Sequence, residues 1–442
     1  MSIFKSEMIA ENLEEEDFED VLVSSYTNIQ GAIKSAEHVK AIFDRKGESV
    51  VRLNEVSFPS DGLFTKLNTA VKINSKEMVL VGSYSPELQN APNKKVAGDP
   101  KDTAYKVVYL KLQPESHPQL EREWLHGTDV EVDNYIRYKE MEIFFCHDDF
   151  LHIFYKGVKS TLKLIRGKYF SGDTFSNRGK KVFRRGQDLF YPFKYNRSMA
   201  GPFIALMKLD LEGLYTKIEL NAAKPKVHKN IDVGYGRVEV SVGFTDFILD
   251  EDDIFLLYSC GRVRRFHIDE AHVEMGKIDN KLKLHYQCII NAVPRKFLVT
   301  AGFSSVQNYM RFNLVNHNQQ TVSYCQVPDT VLSKDKYKYF SNYTEQIVWG
   351  HFRKFSNASI GLFFRPLNSV NVVAIVKSRI VHVYQRGFFT PEVSAGPNAP
   401  QVLRITDPDR NSNWVGVVPF YGEKRYYMFS RSGAVSILTL NL

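Results

Sequence analysis

One short theme recurs about seven times along this chain, and this repetition constrains the fold more than any other feature of the sequence. In each copy, an apolar segment rich in β-branched and aromatic residues is followed by a polar turn and a second apolar segment. This is the pattern of a β-hairpin. The copies lie at 78–84 with 105–113, and at 150–165, 201–220, 253–269, 297–315, 370–386 and 425–442. Because helical signals are sparse, we expect a chain built from strands.

Hairpins that repeat with a period near 50 residues are typical of a β-propeller, in which blades of antiparallel strands are arranged around a central channel. A length of 442 residues alone would favour several domains, but the repeats favour one. The composition also suits a large β-core, with 31 Phe and 23 Tyr. We therefore predict an all-β fold: a single seven-bladed β-propeller at 36–442, preceded by an acidic tail at 1–35.

Two of the repeats carry residues in the order that kelch blades show. A glycine ends one strand, a tyrosine follows on the next, and a further aromatic residue follows on the third. These residues are Gly82, Tyr109 and Trp124 in one repeat, and Gly302, Tyr309 and Tyr324 in the other. Ser83 and Phe303 replace the second glycine of the kelch pair, and the chain has no Trp-Asp dipeptide of the WD40 type. From about residue 38 to 442, the chain therefore resembles a divergent member of the β-propeller repeat superfamily, kelch-like in two blades.

The two ends of the repeat region look complementary. Strand-like segments at 38–44 and 49–56 have no complete blade of their own, whereas the C-terminal segment 434–442 is strand-like to its last residues. Joining early and late strands in one sheet satisfies the hydrogen-bonding groups at both edges. We expect residues within 38–58 to complete the blade that contains 413–421 and 425–442.

The acidic tail separates charge along the chain. Residues 1–20 hold eight acids and one lysine, a net charge of −7, so a total of +8 leaves +15 on the remainder. Between residues 11 and 21, seven acids are interspersed with Leu13, Phe18 and Val21. Segments of this kind are often disordered and dock on basic surfaces. A solvated tail or a short exposed helix is the alternative.

The strongest candidate for a binding surface is a basic segment at 163–197, which contains many Lys and Arg but only two Asp. Aromatic residues interleave with the cations. Three interpretations stay open: a solvated loop that its aromatic residues anchor to the core, a surface for an acidic protein, or a surface for nucleic acid or phospholipid, in which cations contact phosphates and rings stack on bases. Together with a second basic cluster at the 261 turn, the candidate partner-binding residues are Arg166, Lys168, Arg178, Lys180, Lys181, Arg184, Arg185, Arg262 and Arg264.

Catalytic and targeting signals are absent from the sequence. It has no nucleophile elbow, zinc-protease, Walker or dinucleotide-binding motif, and His147 and His152 lie five apart, on opposite faces of a strand. We expect no enzyme activity, catalytic residue, cofactor or metal. The four dispersed cysteines and the lack of a leader or an apolar membrane span favour an intracellular protein, cytoplasmic or nuclear, with reduced thiols.

These observations predict a non-catalytic protein–protein interaction scaffold, a subunit of an intracellular multi-protein complex, whose partners are proteins with acidic surfaces. One alternative is a propeller that binds nucleic acid through 163–197. The other is a propeller enzyme with carboxylates that converge on the central channel.

Overall fold

The computed structural model describes residues 51–56, 66–74, 76–84, 104–111, 119–126, 132–146, 150–156, 158–163, 174–177, 182–197, 201–222, 237–238, 241–242, 244–258, 260–267, 274–275, 285–292, 296–304, 309–328, 349–355, 358–365, 369–376, 378–387, 414–420, 425–430 and 435–440. The acidic tail at 1–35, the predicted strand at 38–44, and residues 164–173 and 178–181 of the basic segment lie outside these residues.

Strands fill nearly all of the described chain. In chain order they are β1 (Val51–Val56); sheet 1 with β2 (Lys66–Lys72), β3 (Glu77–Tyr84), β4 (Ala104–Lys111) and β5 (Gln119–His126); sheet 2 with β6 (Val132–Tyr138), β7 (Met141–Cys146), β8 (Phe150–Tyr155) and β9 (Val158–Lys163); and sheet 3 with β10 (Thr174–Asn177), β11 (Phe183–Arg185), β12 (Asp188–Arg197), β13 (Gly201–Asp210) and β14 (Arg237–Val238).

After sheet 3, the chain continues with β15 (Ser241–Val242); sheet 4 with β16 (Phe244–Asp250), β17 (Asp253–Tyr258) and β18 (Val263–His267); β19 (Glu274–Met275); sheet 5 with β20 (His285–Asn291), β21 (Phe297–Ser304), β22 (Tyr309–Asn316) and β23 (Thr321–Pro328); sheet 6 with β24 (Trp349–Phe355), β25 (Ala358–Arg365), β26 (Ser369–Val376) and β27 (Arg379–Gly387); and sheet 7 with β28 (Trp414–Phe420), β29 (Arg425–Ser430) and β30 (Val435–Leu440).

Sheets 1, 2, 5 and 6 are four-stranded antiparallel meanders, in which each strand pairs with the next one in sequence. Sheet 4 has three described strands. In sheet 3, β11 and β10 both pair with β12, while β15 and β19 form a short parallel pair outside the meanders. Short connections explain this local pairing, because a hairpin joins antiparallel neighbours with few residues.

Sheet 7 joins the two ends of the described chain. Its strand order is β1-β30-β29-β28, and β1 pairs antiparallel with β30 from Val51 opposite Leu440 to Val56 opposite Val435. The early strand therefore completes the C-terminal sheet as its fourth member.

Each sheet packs against the next one in chain order through buried apolar side chains. The shared clusters join sheets 1 and 2, 2 and 3, 3 and 4, 4 and 5, and 5 and 6. Between sheets 6 and 7, the ring centroids of Phe364 and Tyr426 lie 6.2 Å apart. Between sheets 7 and 1, Lys72 Nζ donates a hydrogen bond of 3.2 Å to the carbonyl oxygen of Pro419.

One predicted hairpin is wrong. We expected two strands across 201–220, but β13 ends at Asp210 and an α-helix, α1 (Leu211–Ala222), follows directly. Asp210 Oδ1 accepts hydrogen bonds from the backbone N–H groups of Glu212 and Gly213 at 3.0 and 3.1 Å, which is an N-cap. Leu211, Leu214 and Ile218 then recur with helical spacing and are buried.

The prediction of a β fold is otherwise confirmed in its broad form, because the described chain is nearly all β with a single helix. That helix has too few residues to cross a bilayer, and the described part of the chain contains no other.

Candidate protein interface

The β11–β12 hairpin carries Arg184 and Arg185, the two candidate partner-binding residues of the basic segment that the structure describes. Its turn passes through Gly186, which has a φ of +56°, in the left-handed region that suits glycine. Leu189 and Tyr191 on β12 are buried, whereas Arg184 and Arg185 on β11 are exposed. The hairpin therefore holds its two arginines outside a buried strand.

Arg184 points toward sheet 2. Its guanidinium carbon lies 4.7 Å from the centroid of the Tyr138 ring, and its Nε donates to the carbonyl oxygen of Gly186 at 3.0 Å. A guanidinium over an aromatic face is attracted by the ring quadrupole.

Arg185 joins the hairpin to sheet 4. Its Nη1 donates to the carbonyl oxygen of Glu251 at 2.7 Å and forms an ion pair with the Asp252 carboxylate, in the turn between β16 and β17. The two adjacent arginines thus contact the neighbouring sheets on both sides.

Helix α1 places Glu212 and Tyr215 next to Tyr138 and Lys139 of sheet 2. Lys139 Nζ contacts Glu212 Oε1 at 2.6 Å and lies 4.4 Å from the centroid of the Tyr215 ring. The Tyr138 hydroxyl donates to Glu212 Oε2 at 2.5 Å. Glu212 therefore accepts from a lysine and a tyrosine of the same turn.

The next turn of sheet 2 repeats this arrangement. Lys156 Nζ lies 5.0 Å from the centroid of the Tyr155 ring and 3.3 Å from Glu140 Oε2. The rings of Tyr155 and Tyr215 meet edge to face at 5.7 Å. Lys139 and Lys156 both have positive φ, 51° and 49°, because each sits in a tight hairpin turn.

We define the tyrosine–cation face by the residues that these contacts connect: Tyr138, Lys139, Glu140, Tyr155, Lys156, Arg184, Glu212 and Tyr215. Hydrogen bonds stabilise the charge states of four of its groups. The hydrogen bond from Lys139 lowers the pKa of Glu212, and the hydrogen bond to Glu212 raises the pKa of Tyr138. Hydrogen bonding with Tyr155 raises the pKa values of Tyr215 and Lys156 to about 12.

The predicted site residues that the structure describes lie in two separate places. Arg184 and Arg185 lie together, but Arg262 lies in the β17–β18 turn, at the opposite end of β17 from Asp252. Six strand residues put these ends about 20 Å apart. Arg264 lies within β18 and is half-buried. The other candidates, Arg166, Lys168, Arg178, Lys180 and Lys181, lie outside the described residues.

Several aromatic residues of the basic segment belong to the core. Phe190 and Tyr191 are buried, and the ring of Phe183 packs against Phe247 at 5.2 Å. Rings held in this way cannot stack on bases, so this part of the segment follows the interpretation in which aromatic residues anchor a surface hairpin.

Sequence reasoning missed Lys139, Lys156, Glu212 and Tyr215, since the helix that assembles them was not expected. Asp210 ahead of the Leu211, Leu214 and Ile218 spacing was the available signal. The described residues contain no group of His, Cys, Asp and Glu side chains that could hold a metal ion.

The six positions of the kelch-like pattern lie on successive strands. Gly82, Tyr109 and Trp124 fall on β3, β4 and β5, and Gly302, Tyr309 and Tyr324 fall on β21, β22 and β23. This is the order that the sequence predicted, while membership of the kelch group stays a prediction.

Comparison with known proteins identifies no relative by sequence. No family model and no curated protein matches the chain. Solved structures that resemble it include a chain of the mitotic checkpoint complex (TM-score 0.46, 7% identity, 88% of this chain and 91% of that one). The N-terminal domain of Nup159 (0.44, 10%, 88% and 95%) and the WD40 β-propeller domain of Doa1 (0.43, 7%, 88% and 95%) are others. At TM-scores below 0.5, these similarities carry no conclusion about this chain.

Proposed function

We propose that the seven sheets are the blades of one closed β-propeller, and that this propeller is a non-catalytic scaffold that binds proteins inside the cell. Two features support the closed ring: every sheet contacts the next, including sheet 7 with sheet 1, and β1 completes the sheet of β30. In a closed ring, every blade has a neighbouring blade on both sides.

The tyrosine–cation face carries the functional proposal. Its cations Lys139, Lys156 and Arg184 are exposed and Tyr215 is half-buried, whereas Tyr138 and Tyr155 are buried beneath them. Tyrosine and arginine are the residue types that most often dominate binding energy in protein interfaces, and here Tyr215 and Arg184 are within reach of a partner. The side chains of this face already hold one another through ion pairs and ring contacts, so a partner would lose little additional conformational entropy in ordering them. Leu220 on the same helix is 63% exposed and adds apolar area beside the charges.

A protein partner fits this face better than a nucleic acid does. Arg185 is already neutralised by Asp252, and three glutamates or aspartates alternate with the cations along the hairpin, the helix and the adjacent turns: Glu140, Glu212 and Asp252. Phosphate backbones need cations without such competing carboxylates. Mixed charge with aromatic residues is instead typical of protein interfaces.

An enzyme would need carboxylates that converge in the channel of the proposed ring. Asp246, on the first strand of sheet 4, has a structural use, because its Oδ2 accepts a hydrogen bond of 2.8 Å from the backbone N–H of Ile289 on sheet 5. This contact supports a role for that carboxylate in joining blades.

Charge reversal tests the proposed interface. The triple variant Lys139→Glu, Lys156→Glu, Arg184→Glu changes the net charge by six units, and so does a control triple at the exposed Lys76, Arg379 and Arg425 on other sheets. We expect the first variant to lose most of its co-purifying protein, quantified by mass spectrometry against the wild type, and the control to keep it. Both should melt within a few degrees of the wild type, since exposed ion pairs contribute about 0–1 kcal/mol.

If the Lys139, Lys156 and Arg184 variant recovers every co-purifying protein as well as the control variant does, the proposed interface is wrong. Capture of mixed RNA by the wild type, lost selectively in the Lys139, Lys156 and Arg184 variant and at high salt, would favour the nucleic-acid alternative.

A further inference from the structure

A second exposed surface lies on the outer strand of sheet 5, away from the tyrosine–cation face. The side chains of Val322 and Tyr324 are 39% and 60% exposed. Cys325 and Val327, which alternate with them along β23, pack onto the core shared with sheet 6. Alternation along the strand therefore places Tyr324 on the opposite face, toward sheet 4.

Arg311 stands beside Tyr324 in a fixed conformation. Its guanidinium carbon lies 4.4 Å from the Tyr324 ring centroid, and its Nε donates to Asn313 Oδ1 at 3.1 Å. Asn313 Nδ2 in turn donates to the Tyr286 hydroxyl at 2.7 Å. Gly302 lies between Tyr286 and Arg311 in the sheet register, so no side chain separates them.

The Arg311 contacts that the described residues show, with Tyr324 and Asn313, are to neutral groups. Within the described part of the chain, no carboxylate lies at ion-pairing distance from it, although its side chain is half-buried. Partial removal from water without an opposite charge costs free energy, which an incoming carboxylate would offset. The positive charge is reinforced nearby, because Gly261 packs on the Tyr286 ring and the next residue, Arg262, is exposed.

A buried hydroxyl lies in the same row of sheet 5, beneath this surface. Thr300 is opposite Asn313 in the register of β21 and β22, and is fully buried. Its Oγ1 has no hydrogen-bond partner among the described residues. Buried polar atoms are normally satisfied, so this hydroxyl needs a partner from outside the described residues.

We propose that this surface, formed by Arg262, Arg311, Val322 and Tyr324, binds the acidic segment 11–21 of the same chain. The segment combines seven acids with Leu13, Phe18 and Val21, which matches a surface that combines arginine with exposed apolar side chains. The charges are complementary as well, at −7 for residues 1–20 and +15 for the remainder. This inference is independent of the proposed function, since it uses a different surface and an internal ligand.

The chain between the two is long enough. About 30 residues separate Val21 from the start of β1, and an extended chain of this length spans up to roughly 100 Å. A compact domain of about 400 residues has a diameter of roughly 55 Å. The segment can therefore reach any blade without strain.

A binding measurement on the full-length chain tests this proposal. In one variant, the seven acids of the segment (Glu11, Glu14, Glu15, Glu16, Asp17, Glu19 and Asp20) are changed to their amides. A labelled peptide of residues 11–21 is titrated against this variant and against the wild type, with fluorescence anisotropy as the readout. We expect the amide variant to bind at least tenfold more tightly, because its own segment no longer occupies the surface.

Two substitutions in the amide variant locate the site. Arg311→Gln should weaken peptide binding at least tenfold, and Tyr324→Ala, at an exposed position, should weaken it several-fold. Arg379→Gln on sheet 6 is the matched control and should leave the affinity unchanged. Added salt should weaken binding, as for any contact between exposed charges.

The proposal fails if the peptide binds neither the wild type nor the amide variant, or binds both with equal affinity. It also fails if Arg311→Gln leaves the affinity of the amide variant for the peptide unchanged. It also fails if the amide variant and the wild type bind an unrelated acidic peptide of equal charge as tightly as residues 11–21, which would make the surface a site for external acidic proteins.

Discussion

At Gly261 the chain turns from β17 into β18 with a φ of +88°, and an added Cβ would lie 2.5 Å from Cε2 of Tyr286. Gly186 provides a matched comparison, because it also has a positive φ, +56°, but no atom lies within 4 Å of the added Cβ.

We predict that Gly261→Ala lowers the free energy of unfolding by about 3 kcal/mol, from the strained backbone together with the overpacked ring. Gly186→Ala should cost about 1 kcal/mol, from the backbone alone. Denaturant titration of both variants measures the difference, and equal losses would show that the Tyr286 contact is unimportant.

Glu142 is a buried carboxyl group on β7 that accepts a hydrogen bond of 3.0 Å from the Tyr135 hydroxyl. Burial raises the pKa of Glu142 from 4.5 to about 7. The folded protein therefore holds this proton more tightly than the unfolded chain does. The stability that this tighter proton binding contributes is fully present below pH 4.5 and is lost as the pH rises through 7.

We predict that Glu142→Gln removes this part of the pH dependence, up to about 3 kcal/mol between pH 4.5 and 8. The variant should be more stable than the wild type at pH 8. Glu140→Gln, at an exposed position two residues away, is the control and should keep the wild-type profile. Parallel stability profiles for the wild type and Glu142→Gln would contradict the assignment.

Among the elements, α1 is held in place by apolar side chains that pack against sheets 2 and 3. Leu214 is fully buried against sheets 2 and 3, whereas Leu220 on the same helix is 63% exposed. We predict that Leu214→Ala lowers the free energy of unfolding by about 3 kcal/mol and Leu220→Ala by less than about 0.5 kcal/mol. Denaturant midpoints measure both, and comparable losses would mean that the helix packs differently.

The hairpins were predictable because strand alternation and turn residues are local signals. Six of the seven repeats, such as 297–315, have strands at both expected positions. The segment 201–220 was misread, since Leu209 and Leu211 extend the apolar pattern of β13 across the Asp210 cap, and a short apolar run does not distinguish strand from helix.

The candidate interface was harder to predict because it depends on contacts between elements. The basic segment drew attention to Arg184 and Arg185, and both are exposed at a sheet end. Their partners, Tyr138 and Asp252, are 46 and 67 residues away in sequence, and only the packing of sheets 2, 3 and 4 brings them together. No local pattern encodes such distances.

At the scale of the whole molecule, the proposed ring depends on one strand pairing between distant parts of the chain. β1 and β30 satisfy each other's backbone groups along six paired residues. Without β1, the edge strand β30 of sheet 7 would be left unpaired.

Thermal unfolding of two shortened chains tests the closed ring most directly. One comprises residues 36–442 and keeps β1, and the other comprises 58–442 and lacks it. We predict that 36–442 unfolds in a single cooperative transition near that of the full-length protein, and that 58–442 loses this transition or melts at least 10 °C lower. A cooperative transition of 58–442 at the same temperature as that of 36–442 would contradict the closed propeller.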